Sequence, residues 1–245
     1  MNKFQICPFC DYGFRVNALD RLHMITDQFK EWDSDIVTTN PLKFPEYSKK
    51  IDAAQISTKI NESILTGDAI IGKYHVALGI MDPFFIMGSL GAATGEKITK
   101  LFDKATTKKL PVIIYTASGG ARMQEGTLAL MQMAKITQAI NRHRNLGLLY
   151  ISIMMDPTMG GVTASFASQS DFIIAEPNST IGFAGKRVVE QTTGKIMPSN
   201  FQTAESAYKN GFIDAIISRD KQNEFLNNIL MINSSLKWCG VSKNE

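Results

Sequence analysis

Two pairs of adjacent glycines, Gly119-Gly120 and Gly160-Gly161, each stand between a buried-strand pattern and a helical one. Before the first pair, Leu110–Thr116 (LPVIIYT) is an apolar run of strand length, and Arg122–Arg142 after it has helical spacing. Before the second, Leu148–Ile153 is another such run, and a short helix opens at the glycines. Strands that are apolar on both faces must be covered on both faces, and alternation with helices supplies that cover. The expected fold class is therefore α/β, built from stacked ββα units.

The rest of the chain fits this reading. Ala69–Ile71, Tyr74–Asp82, Phe84–Met87, Phe172–Ala175 and Phe212–Ile217 are expected strands. Gly95–Thr107, Thr203–Lys209 and Lys221–Ile232 are expected helices. Near the N-terminus, Val16, Leu19, Leu22, Ile25 and Phe29 recur at helical spacing. Residues 31–62 are polar, with Pro41 and Pro45 as breakers before the helix-compatible Glu46–Glu62. The expected organisation is a segment 1–30, a main domain 31–235 and a polar tail 236–245.

A net charge of +3 is too mild to point to nucleic acid, though it suits anionic small molecules. No apolar run approaches the roughly 18 residues of a membrane span, and the N-terminus has no run of signal-peptide length. Three cysteines do not make a disulfide framework. These features lead to the expectation of a cytoplasmic enzyme.

The glycine loops are the candidate site. The first N–H groups of a helix lack internal partners and sit in the positive end of its dipole. A glycine there lets a ligand oxygen approach the backbone, which suits an anion or a developing oxyanion. Either pair alone could be a tight turn; two in successive units, about forty residues apart, point to one shared site. No Gly-Lys-Ser/Thr follows either pair, which argues against a phosphate loop, and Ser118 lacks a nucleophile elbow.

Longer motifs add a resemblance. Asp156–Gly161 (DPTMGG), Asp171–Glu176 (DFIIAE), Ile181-Gly182-Phe183 and Ile213-Asp214 resemble the crotonase superfamily. Ser118–Gly126 (SGGARMQEG), Ala129–Lys135 (ALMQMAK) and Gly182–Arg187 (GFAGKR) resemble its biotin-dependent carboxyltransferase branch. Val189–Thr192 (VEQT) and Asn200–Glu205 (NFQTAE) are similar to the acetyl-CoA carboxylase β subunit family, and the similarity runs from about Ile6 to Ile232. The resemblance implies a crotonase-like (ClpP/crotonase) superhelix with a short N-terminal remnant of a zinc ribbon. It implies transfer of a carboxyl group from carboxybiotin, carried by a biotin carboxyl carrier protein, to acetyl-CoA, giving malonyl-CoA for fatty acid biosynthesis. Gly160 and Gly161 would then supply oxyanion donors, and Gly119, Gly120 and Ala121 would line the pocket for the coenzyme A thioester. A related carboxyltransferase α subunit would complete the site in a heterotetramer, with biotin carboxylase in the full complex.

Several side chains near these loops carry two readings. Arg122, Lys186 and Arg187 could contact coenzyme A phosphates or be surface or ion-paired charges. Phe183, beside Gly182, could wall the site or pack in the core. Glu125 could be a base or a solvated helix residue. Cys7 and Cys10 have the spacing of half a zinc ribbon, but a structural zinc site wants four ligands and the expected second pair lies before the chain's first residue. No metal ligand is therefore assigned. Two other functions share these features: an acyl-CoA decarboxylase subunit, and a non-catalytic scaffold or nucleic-acid-binding subunit.

Overall fold

Residues that are apolar on alternate or on both sides of the chain bring seven strands into a single mixed sheet. The computed structural model describes residues 4–9, 12–26 and 28–236. Strand order follows chain order: β1 (Phe29–Glu31), β2 (Ile64–Ile71), β3 (Tyr74–Met81), β4 (Val112–Ser118), β5 (Tyr150–Thr158), β6 (Phe172–Ala175) and β7 (Ala215–Ile216). The first three pair antiparallel, and β3 through β7 run parallel. Each parallel neighbour is reached by a crossover, so the chain winds forward one strand at a time.

Helices α1 (Ala18–Ile25), α2 (Tyr47–Thr58), α3 (Ala92–Lys108), α4 (Thr127–Asn145), α5 (Gly160–Thr163), α6 (Lys186–Thr193), α7 (Ala204–Lys209) and α8 (Gln222–Leu236) surround the sheet. β4 is buried along its whole length because α3 packs against it and β3, and α4 packs on α3. Leu78, Ile98, Leu101, Phe102, Ile114, Ile136 and Ile151 form the centre of the core. Phe102 meets Tyr150 edge to face, with ring centroids 4.9 Å apart. The result is the α/β architecture expected. Among the described residues no helix is long and apolar enough to cross a membrane.

Local departures have physical causes. Phe84–Met87, expected as a strand, instead leads into a 3-10 turn, Ile86–Gly88, whose residues all have positive φ (46°, 57° and 63°). The turn brings the backbone against β4; a Cβ on Gly88 would lie 1.8 Å from the Ala117 carbonyl oxygen. The helix expected over Arg122–Arg142 breaks at Gly126 (φ 51°, ψ −131°), leaving a 3-10 turn, Met123–Glu125, ahead of α4. Phe29 leaves the N-terminal helical face and joins β1, because α1 ends at the Thr26 cap. The expected boundary at residue 30 thus falls within β1, and Ala18, Leu22 and Ile25 share the main core. Helix α6, which the sequence reading does not place, has none of its residues buried.

Of the expected ribbon remnant, one isolated Ile6–Gly13 bridge is present, closing a turn around Cys7. Cys10 lies outside the described residues, as does the tail beyond Leu236. Among the described residues no three His, Cys, Asp or Glu side chains are grouped to hold a metal ion.

Candidate active site

The first glycine loop continues β4 past Ser118, and all but one of its N–H groups, from Gly119 to Arg122, have an acceptor. Gly119 donates to the Met87 carbonyl at 2.8 Å, and Gly120 to Ser118 Oγ at 3.0 Å. Arg122 N–H donates to the Leu90 carbonyl, while the Gly120 carbonyl accepts from Leu90 N–H, both at 2.9 Å. These two bonds make a parallel bridge in which Ala121 N–H points away from Leu90. Among the described residues it has no acceptor.

The second loop follows β5. A helix starts with donors that have no intrahelical acceptor, and at α5 two of these are satisfied elsewhere. Met159 N–H donates to the Ser118 carbonyl at 2.9 Å. Gly160 N–H is shared between the carbonyls of Phe183 (3.0 Å) and Gly182 (3.2 Å). Gly161 and Val162 N–H have no acceptor among the described residues. The expectation that both glycines offer donors is therefore corrected: the Gly160 amide is occupied by the chain itself. Gly160 serves the loop through its conformation instead. Its φ is +61°, and a Cβ there would lie 3.0 Å from Gly120 Cα, so the two loops touch and only glycine permits the approach.

Two concave regions flank this contact. One, of about 310 Å³, is lined by Lys50, Met87, Gly119, Ala121 and Met123. The other, about 650 Å³, is lined by Met154, Thr163, Gly182, Phe183, Phe201 and Phe212. Phe183 is 68% exposed, which removes the core-packing alternative. Lys186 and Arg187 open α6 on the exposed side; Lys186 Nζ lies 4.0 Å from Glu190 and 3.4 Å from the Pro198 carbonyl. Lys50, on α2 and beside Ala121, is a cation that sequence reasoning missed, since a charge on an exposed helix face carries no signal of its own.

Arg122 is corrected outright. It is fully buried, its Nη2 donating to Glu62 at 2.5 Å and to the Ser89 carbonyl at 2.8 Å, its Nε to Ser89 Oγ at 3.0 Å. Arg122 borders the smaller cavity, but its guanidinium is taken up by these internal partners and is not offered to a ligand phosphate. Burial alone would lower its pKa, but the Glu62 carboxylate outweighs that and holds it above the ordinary arginine value. Glu125 is equally buried rather than solvated. It accepts from Ala92 N–H at the start of α3 (2.5 Å), from Thr38 (2.8 Å) and from the Tyr47 hydroxyl (2.6 Å). Burial, followed by the opposing pull of Arg122, leaves the Tyr47 phenol pushed up to about 12, so it stays protonated as a donor. This network fixes the 3-10 turn after the first loop. It faces inward, which excludes Glu125 as a base.

Residues 30–237 match the carboxyl transferase domain family. The chain is 57% identical over 236 residues to the acetyl-coenzyme A carboxylase carboxyl transferase subunit beta of Oenococcus oeni, covering 96% of this chain and 82% of that one. It is 56% identical to the protein of the same name from Ligilactobacillus salivarius, covering 96% and 83%. Among solved structures, the transcarboxylase 12S core with methylmalonyl-coenzyme A bound superposes with a TM-score of 0.75 at 22% identity, over 88% of this chain and 41% of that one. The Pseudomonas malonate decarboxylase MdcD-MdcE heterodimer gives 0.67 at 18% identity, over 90% and 86%. These two likenesses are of fold.

Proposed function

The chain belongs to the acetyl-coenzyme A carboxylase carboxyl transferase subunit beta family, and on that premise we propose that Ala121 and Gly161 present the amide donors of its active site. The reaction moves a carboxyl group from carboxybiotin to acetyl-CoA and yields malonyl-CoA, a step of fatty acid biosynthesis. Bound carboxybiotin supplies the transferable carboxyl group. The acetyl methyl would give its proton to the biotin nitrogen freed of the carboxyl group, which shifts negative charge onto the thioester oxygen; new carbon–carbon bond formation to the released carboxyl carbon returns that oxygen to a carbonyl. A donor that meets the oxygen only when it is charged lowers the barrier without tightening ground-state binding.

The observation that carries this reading is the unmatched N–H groups on touching loops, Ala121 on one and Gly161 on the other, with that of the buried Val162 behind it. Neutral peptide donors held by surrounding bonds need no reorganisation as charge develops, and one such donor contributes roughly 3 kcal/mol. Lys50, Lys186 and Arg187 are exposed cations that would meet coenzyme A phosphates. Phe183, Gly182 and the neighbouring cavity would wall the second half of the cleft. The partners are a carboxyltransferase α subunit, which would bring the donors for the carboxybiotin side, and the biotin carboxyl carrier protein with its biotin carboxylase.

Combining the purified chain with α subunit, carboxylated carrier protein and acetyl-CoA tests the assignment. Malonyl-CoA should form only when both proteins are present. No product from a verified assembly would overturn it.

A further inference from the structure

Asp156 lies ahead of the second glycine loop, and its carboxylate joins two distant segments. Oδ2 accepts from Arg15 Nε at 2.9 Å, and Oδ1 from Thr180 N–H at 3.0 Å. From Thr180 a ladder of backbone bonds leads to the site. Thr158 N–H donates to the Thr180 carbonyl (2.9 Å), Gly182 N–H to the Thr158 carbonyl (3.2 Å), and Gly160 N–H to the Gly182 carbonyl (3.2 Å). Gly161 is the next residue. The position of its N–H is thus set by the register of 180–183 against 156–160, which Asp156 pins at its far end. The backbone beside Arg15 is anchored: Phe14 N–H donates to the Gln5 carbonyl at 3.1 Å, and that carbonyl and the Phe4 carbonyl accept from Arg219 Nη1 at 3.4 and 3.2 Å.

We propose that Arg15 is a positioning residue for carboxyl transfer, holding Asp156 so that the Gly161 amide is aimed at the reacting oxygen. The inference rests on the reading of Gly161 as a donor. Arg15 is half exposed, and ion pairs of that kind contribute little to folding stability. Its effect should therefore appear in turnover and not in melting, the pattern a purely structural contact would not give.

The test uses the assembled complex with Arg15→Ala, Arg15→Lys, Asp156→Asn and the Arg15→Ala/Asp156→Asn double variant. Arg15→Ala should lower kcat about tenfold, since small misplacements of a catalytic group are costly in rate. KM for acetyl-CoA should stay within about twofold, because a donor that acts on the transition state alone leaves ground-state binding nearly unchanged. The melting temperature should stay within about 2 °C. Arg15→Lys should recover most of the rate, and the double variant should be no slower than Asp156→Asn alone. Wild-type kcat in Arg15→Ala would overturn the proposal, as would a loss that tracks melting or assembly, or additive losses in the double variant. Replacing the Gly161 amide by an ester separates the two readings. A silent ester removes the donor itself, whereas a damaging ester beside a silent Arg15→Ala removes only the positioning link.

Discussion

At Gly160 and Gly161 neighbouring glycines have different tasks, and their substitution should separate them. A side chain on Gly160 meets backbone, the Gly120 Cα at 3.0 Å, and must adopt φ +61°. Neither contact can swing aside. A side chain on Gly161 meets Met133 Sδ at 2.8 Å, the flexible part of a half-buried methionine. Gly160→Ala should therefore push the loops apart and lower kcat by about a hundredfold or more. Gly161→Ala should lose no more than about tenfold, and Met133→Ala beside it should recover part of that loss. Steady-state rates of the assembled complex give the comparison. The same scale shows why Arg122 misleads as a sequence: a basic residue after a glycine loop looks like a phosphate ligand until its partner Glu62, sixty residues earlier, is placed against it.

Among the elements, α3 carries a buried charge that costs the fold stability. Lys97 is 1% exposed, with Glu31 at 3.6 Å as its ion-pair partner. Burial lowers its pKa, and Glu31 and then Glu62 only partly restore it. A base whose folded pKa lies below the unfolded value of roughly 10.4 destabilises the fold while both states are protonated. That penalty is relieved as pH rises from the folded value to the unfolded one. Lys97→Met should thus lose the rise in stability at alkaline pH, measurable by denaturant unfolding across that pH range. The elements that could be read from sequence are those whose pattern is local. The apolar runs of β4 and β5, and the face of α1, announce themselves. The Ile86–Gly88 turn does not, because its left-handed backbone is imposed by contact with Gly119 and Ala117 rather than by its own residues. Nor does Glu125, whose burial depends on α2 arriving with Tyr47. The glycine pairs are legible as candidates, and the structure brings their loops into contact; which of their amides lack an acceptor is not legible, since that depends on carbonyls at Met87, Gly182 and Phe183.

Across the whole molecule, both ends of the chain are tied together by Glu176, which follows β6. Arg21 of α1 approaches it at 2.7 Å as an ion pair without hydrogen-bond geometry, and Arg219, after β7, donates to it at 2.9 Å. Burial would raise the Glu176 pKa, but Arg21 and Arg219 together hold it below the ordinary glutamate value. A depressed carboxylate contributes stability that is present above the unfolded value of about 4.3 and lost as pH falls through the folded one. Melting temperature should therefore fall below about pH 4.3, and Glu176→Gln should melt lower at pH 7 with a shallower acid slope. With the scaffold tied at Glu176, the proposed function depends on donors without an acceptor among the described residues. The most direct test replaces the peptide N–H of Gly161 by an ester oxygen in the assembled complex, with the same replacement at Gly160 as comparison. The ester at 161 should lower kcat for malonyl-CoA formation by about 10²–10³-fold with melting unchanged, while the ester at 160 should lower melting through its lost bonds to Gly182 and Phe183. Full activity with an ester at 161 would contradict the account.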